Sequence, residues 1–294
     1  MKSGFVGLIG RPNAGKSTLI NNLVGSKIAI TSDKPQTTRN IIQGIYNDEE
    51  SQIVFVDTPG IHKPTHKLGT YLNKEAYYSM EDADILLVLI DASEPIGPGD
   101  KYIIEKLKDV EKDVILVLNK IDKMPKEKIL LKIDEYKDLY DFKEIVPISA
   151  LKKENIDTLL KVCKKYLNDN IKYFEDDMIT NKSINFLISE IIREKVLLLT
   201  EEEVPHSVTC IIEKIETSKN SLNIIGSIIV DRDSLKKIIV GKGGSKIKQI
   251  GSLARKEIEV LVGKRVYLDL LVKTVEKWRD REKYLSEFGF NDFE

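Results

Sequence analysis

Read for its apolar positions alone, the chain changes style once. Over the first half, short runs in which nearly every residue is apolar alternate with amphipathic stretches. The runs predict strands over 5–10, 42–47, 52–57, 85–91, 114–119 and 144–148, with helices between most of them, the first over 17–24 and the last over 155–167. Strands alternating with helices imply an α/β fold, a mostly parallel sheet with helices on both faces. Residues 172–180 lose any clean period and carry a local acidic cluster, which reads as a linker within 171–180. Residues 183–199 are then apolar at helical spacing through Ile184, Leu187, Ile188, Ile191, Ile192 and Val196, while 207–217 and 222–231 alternate with period two, as half-buried strands do. Two further helical patterns flank Gly241, Lys242, Gly243 and Gly244, and a strand is predicted over 265–272. The expected organisation is an α/β domain over 1–170, the linker, an α+β domain over 181–285 and a tail over 286–294. Trp278 is expected to pack on the second sheet, within a basic helix that runs into a loose aromatic tail.

Composition changes this picture little. A chain of 294 residues suits two domains, each with its own core. Its 46 basic and 47 acidic residues give a net charge of −1, so the total says nothing about partners. Cys163 and Cys210 fall in separate halves, which points to a reducing compartment without a disulfide framework. The N-terminus runs directly into the first strand without a cleavable signal, and the longest apolar run, 85–90, is far too short to span a bilayer. A cytoplasmic protein is expected. No histidine or cysteine cluster suggests a transition metal.

The chemistry starts where the first strand ends. Gly10 to Ser17 has the spacing G-x4-G-K-S, in which successive backbone N–H groups wrap a β-phosphate, Lys16 reaches the β/γ oxygens and the Ser17 hydroxyl ligates Mg2+. Between a strand and a helix, this loop also places the phosphate on a helix N-terminus. Gly10, Asn13, Ala14, Gly15, Lys16, Ser17 and Thr18 form the nucleotide-binding set here. Asn119, Lys120 and Asp122 follow another strand, at the end where ligands of open α/β sheets sit. A carboxylate such as Asp122 can accept both N1–H and N2–H of guanine, a donor pair adenine lacks. Ser149, Ala150 and Leu151 follow the next strand, and the Ala150 N–H is expected to donate to guanine O6. Asp57, closing the run 53–56, is a candidate Mg2+ holder, and the Gly60 N–H a γ-phosphate contact. The polar segment 31–39 can be ordered by γ-phosphate and metal. Thr38 is expected to complete the Mg2+ shell, with Thr37 as the alternative.

With these motifs in this order, the first half resembles a translation-factor-type GTPase, and the whole chain resembles the Era-like GTPases of bacteria. That resemblance rests also on the segment Lys34 to Arg39 and on the C-terminal half. It implies Lys16, Thr38 and Gly60 as the catalytic set. Ile61 stands where Ras-type proteins place a glutamine that orients water, so slow intrinsic hydrolysis is expected. His62 beside it reads as a solvated loop residue. In similar GTPases an asparagine at the position of Asn13 helps to hold K+ where an arginine finger would otherwise act; the bare residue reads equally well as one that shapes the loop.

The second half, helix, two strands, helix–GxxG–helix and strand, resembles a KH domain of the bacterial type. Glycines in the GxxG turn let a nucleic-acid backbone approach, with Lys242 among phosphates and about four bases on an adjacent apolar groove. The RNA-binding set is Lys237, Ile239, Gly241, Lys242, Gly243, Gly244, Lys246 and Lys248, with Ile238 and Ile247 also placed on the groove. Between 234 and 256 there are seven basic residues and no acid, an electrostatic footprint that the neutral total hides. The resemblance implies single-stranded RNA at the 3′ end of 16S rRNA as partner, a role in 30S subunit assembly, and a monomer. Two other readings stay open: a membrane-associated switch whose basic helices bind anionic lipid, and an RNA clamp in which GTP is a ligand with negligible hydrolysis.

Overall fold

The computed structural model describes residues 1–34, 37–60 and 66–290. The chain forms two compact units that change over between Asn181 and Lys182. The first is built on β1 (Lys2–Gly10), α1 (Lys16–Val24), β2 (Ile42–Asn47), β3 (Ser51–Asp57), α2 (Lys67–Asp82), β4 (Ile85–Asp91), α3 (Pro98–Leu107), β5 (Asp113–Asn119), α4 (Glu127–Lys137), β6 (Glu144–Pro147) and α5 (Ile156–Tyr166). Its six strands lie in the order β2-β3-β1-β4-β5-β6. All neighbours are parallel except β2, which runs antiparallel to β3 at the edge. Val54, Phe55, Leu86, Leu87, Val88 and Leu116 are wholly buried, which is why these strands read as unbroken apolar runs. Loops at the carboxyl ends of β1, β3 and β5 are thereby brought to one edge of the sheet.

Residues 171–180, expected as a linker, form a strap on this unit. The Ile45 N–H donates to the Ile179 carbonyl at 3.0 Å, and Gly44 bridges to Thr180 in antiparallel fashion. The buried Gln52 side chain accepts from the Tyr173 and Phe174 N–H groups at 2.7 and 2.9 Å and donates to the Phe174 carbonyl at 2.9 Å. The strap is held by main-chain hydrogen bonds, which leave no apolar period in the sequence.

The second unit comprises α6 (Ile184–Leu199), α7 (Val204–Ser207), β7 (Thr209–Thr217), β8 (Ser221–Val230), α8 (Asp233–Val240), α9 (Ser245–Val262), β9 (Arg265–Thr274) and α10 (Glu282–Glu287). The three-stranded sheet has the order β7-β8-β9, antiparallel then parallel. The strand expected from 207 starts at Thr209, because Pro205 opens the single-turn helix α7. The tail also differs from expectation. Trp278 is fully buried, its indole N–H donates to the Ser207 carbonyl at 2.9 Å, and Phe290, 2% exposed, stacks on it at 5.9 Å. The basic helix shrinks to a 3-10 turn at Trp278–Asp280 and the short α10. The aromatic residues expected to trail loosely supply apolar cover instead.

Candidate functional site

The phosphate loop lies between β1 and α1, and its glycines are fixed by their neighbours. Gly15 has φ 102°, and a Cβ on it would lie 2.2 Å from Asn119 Nδ2. Lys16 is buried, donating its ammonium to the carbonyls of Gly10 at 3.0 Å and Arg11 at 3.3 Å. Ala14 is buried and Thr18 half-buried behind the loop, while Asn13 is exposed at its mouth in the left-handed conformation, φ 64°. That backbone accords with a residue that shapes the loop.

Ser17, Thr38 and Asp57 converge beside it. The Ser17 hydroxyl donates to Asp57 Oδ2 at 2.7 Å and lies 2.9 Å from the Thr38 hydroxyl, which itself stands 3.5 Å from Asp57 Oδ2. Of the two candidate threonines, Thr38 brings its hydroxyl to Ser17 and Asp57. Asp57 is fully buried, and its second oxygen, Oδ1, has no hydrogen-bond partner among the described residues. Burial pushes the Asp57 carboxyl above the usual carboxylate range, against the pull of Lys16. Burial likewise draws Lys16 below its ordinary value, against Asp57. Gly60 sits against the loop, where a Cβ would lie 2.9 Å from the Pro12 nitrogen. Thr58 pins this turn by donating to the Leu8 carbonyl at 2.9 Å. Ile61 and His62 lie outside the described residues.

On the base side, Asn119 bridges two loops. Its Nδ2 donates to the Ala14 carbonyl at 2.8 Å, and its Oδ1 accepts the Ala150 N–H at 2.9 Å. The Ala150 N–H, expected to meet guanine O6, is therefore committed to Asn119 in this conformation: a buried N–H takes the acceptor within reach. Ser149 donates its hydroxyl to Asp122 Oδ1 at 2.5 Å, fixing the carboxylate that would read guanine, and Leu151 stands exposed at the rim. One partner escaped the sequence. Lys120, left-handed at φ 66°, donates to Asp91 Oδ2 at 2.6 Å, and Asp91 Oδ1 accepts from the Ser93 N–H and hydroxyl. An aspartate at the end of a strand, next to the guanine-reading strand, was the available signal.

In the second unit, α8 and α9 are joined by the glycine turn. Gly241, Gly243 and Gly244 all have positive φ, at 73°, 58° and 76°. Lys237, Lys242 and Lys248 are exposed around it, and Lys246 is half-buried. Ile239 does not line any groove: it is completely buried with Leu235 one turn earlier, and the neighbouring Ile238 is 44% exposed. Adjacent residues on a helix diverge by about 100°, so Ile238 and Ile239 cannot share a face. Ile247 does reach a cleft, of about 520 Å3, between α9 and the edge strand β9. Lys248, Gly251, Ser252, Arg255, Tyr267, Leu268, Asp269 and Leu270 complete its wall. Of these, Lys248 and the charge of Arg255 entered the sequence reading as RNA contacts; the others become visible once α9 lies across β9.

A P-loop GTPase domain followed by a KH domain is the class these two sites define. The 50S ribosome-binding GTPase family matches residues 5–120, and the KH domain family matches residues 203–279. Among similar solved structures is a point variant of Era from Aquifex aeolicus bound to GDP·AlF4−, at 46% identity, 99% coverage of both chains and a TM-score of 0.95. Another, with the same identity, coverage and TM-score, is Era in complex with MgGDPNP and nucleotides 1506–1542 of 16S ribosomal RNA. The chain belongs to the Era family of GTPases.

Proposed function

We propose that this chain hydrolyses GTP with Mg2+ and uses its nucleotide state to control binding of the 3′ end of 16S rRNA by the KH domain, in assembly of the small ribosomal subunit. The observation that carries the reading is the meeting of Ser17, Thr38 and Asp57 beside Lys16. Two hydroxyls and a buried carboxylate, one of whose oxygens has no partner among the described residues, make an all-oxygen donor set, which suits Mg2+. When bound, the ion supplies positive charge against the β- and γ-phosphate oxygens. Lys16 would turn toward phosphate oxygens the donors it does not spend on the loop carbonyls, and their negative charge would offset the burial of its ammonium. The Gly60 N–H is assigned to the γ-phosphate and the Asp122 carboxylate to guanine. Thr38, on the segment leading into β2, senses whether a γ-phosphate is present. RNA affinity then changes only as far as GTP and GDP favour different arrangements of the chain.

On the KH side, the reading places RNA phosphates at Lys242 and the glycine turn, and bases in the cleft of Ile247, Gly251 and Leu270. Asn13 is the residue through which K+ would act; equal rates in K+ and Na+ remove that element.

The experiment is GTP hydrolysis with Mg2+, with and without an oligonucleotide ending in the 3′ sequence of 16S rRNA, against a scrambled RNA. Stimulation by the specific sequence alone is expected. Tight binding of both ligands without stimulation would favour the RNA clamp. Among the described residues no helix is long and apolar enough to cross a membrane, and liposome co-sedimentation tests peripheral attachment separately.

A further inference from the structure

Arg11 is the first variable residue of the phosphate loop, and nothing above uses its side chain. Its main chain is part of the cradle: the Arg11 carbonyl accepts the Lys16 ammonium at 3.3 Å and the Ala14 N–H at 3.3 Å. The place of that peptide therefore bears on Lys16, which the Gly10 carbonyl also holds, at 3.0 Å. The side chain leads away from the loop, to the start of α3. Arg11 Nη1 donates to Asp100 Oδ2 at 3.1 Å, with Glu94 a second carboxylate at 3.8 Å. The Asp100 side chain is only 4% exposed, against 38% for Arg11.

Asp100 is not free to move. The same Oδ2 accepts the Gly97 N–H at 2.8 Å, so it caps the helix it belongs to. The turn beneath is shaped to the arginine. A Cβ on Gly97 would lie 3.1 Å from Nη1, and one on Gly99 would lie 3.0 Å from Cδ, so the arm lies flat on a turn with no side chains in its way. Helix α3 is in turn fixed by Ile103, Ile104 and Leu107 in the core shared with β4 and β5. A charge-assisted hydrogen bond to a nearly buried carboxylate is among the stronger polar contacts a protein makes. This one joins a nucleotide-binding loop to a packed helix outside all the GTPase motifs.

We propose that Arg11 is a positioning residue of the phosphate loop: clamped to Asp100, it fixes the Arg11 peptide and through it the Lys16 ammonium, without touching nucleotide. The proposal rests on the reading of this loop as the GTP site. Holding the guanidinium on Asp100 also keeps a second flexible cation from competing with Lys16 for phosphate.

The test uses the full chain as wild type, R11A, R11K, D100N and the double variant R11A/D100N. GDP and a non-hydrolysable GTP analogue are titrated, the 31P spectrum of bound GDP is recorded, and thermal stability is followed alongside. R11A and D100N are each expected to weaken both nucleotides about tenfold, to do so non-additively in the double variant, and to shift the β-phosphate resonance. R11K should recover part of the affinity. Lower melting temperature with unchanged affinity and unchanged 31P shift would reduce the pair to a purely structural contact and overturn the proposal. Loss of affinity in R11A but not in D100N would mean direct contact with nucleotide, and would overturn it too. Failure of wild type to bind GDP would instead sink the reading of the site itself.

Discussion

The two glycine turns of this chain differ in how far their own chain closes in on them. At Gly15 a Cβ would strike Asn119, and at Gly10 it would lie 2.6 Å from the Leu89 carbonyl oxygen; the space these glycines vacate is filled by the protein itself. In the second turn a Cβ on Gly241 would lie 2.8 Å from Lys246 Cβ, but one on Gly243 or Gly244 would meet nothing within 4 Å. Gly15, Gly243 and Gly244 all adopt positive φ, so backbone freedom is common to both turns and the surroundings differ. The first loop is closed in by its own chain. The second leaves an open shelf beyond Gly241. A glycine motif thus announces a close approach without saying whether the visitor is part of the same chain.

That contrast can be broken most sharply at Gly15. Gly15→Ala combines a strained left-handed backbone with overlap on Asn119, and should cost about a thousandfold in GDP affinity. A fluorescence titration within tenfold of wild type would show that Asn119 gives way and that the loop is less tightly built than described. Next in size is the pair Ile239 and Ile238. Ile239→Ala should destabilise the second unit by about 3 kcal/mol in denaturant unfolding, while Ile238→Ala should change stability by about 0.5 kcal/mol or less. Equal losses would contradict the helix phase. On the open shelf, Gly243→Asp adds strain and a negative charge but no clash. It should lower RNA affinity about tenfold with GDP affinity unchanged; a parallel loss of GDP affinity would mean that the turn is not an independent site.

The smallest effect is a pH effect. Burial alone would raise the Asp91 carboxyl, but the Lys120 ammonium and the Ser93 hydroxyl and N–H outweigh it and hold Asp91 below its ordinary value. A depressed folded value gives stability that is present above the unfolded value, about 3.9, and is lost as pH falls through the folded one. Asp91→Asn should therefore be less stable than wild type at neutral pH, with a gap that narrows in thermal melts below about pH 4. A gap independent of pH would show that the ion pair with Lys120 contributes nothing to it.

Much of the first site was legible because its signals are local. The spacing from Gly10 to Ser17, the apolar runs and the placement of Asn119 and Asp122 at a strand end are all written in consecutive residues. What escaped depends on elements meeting. The strand-end place of Asp91 points to Lys120 only once the strand order is known, and nothing near Asp100 announces Arg11. Ile238, Ile239 and Val240 form an unbroken apolar run whose inward side is set only when α8 docks. The cleft wall at Gly251 and Leu270 is made by α9 and β9, whose packing on one another no local pattern announces, and the strap over 171–180 is held through backbone and Gln52. Phe290 looks like part of a loose tail until it stacks on Trp278.

The strap carries a mechanical consequence. By pairing with Gly44 and Ile45, it covers the outer rim of β2, which would otherwise offer unpaired backbone to a stray strand. The same short strand is reached, a few residues upstream, from Thr38. Thr38 and the strap therefore bear on one length of backbone. A proline placed at Ile45, where the strap's hydrogen bond is donated, would remove that tie between strap and strand.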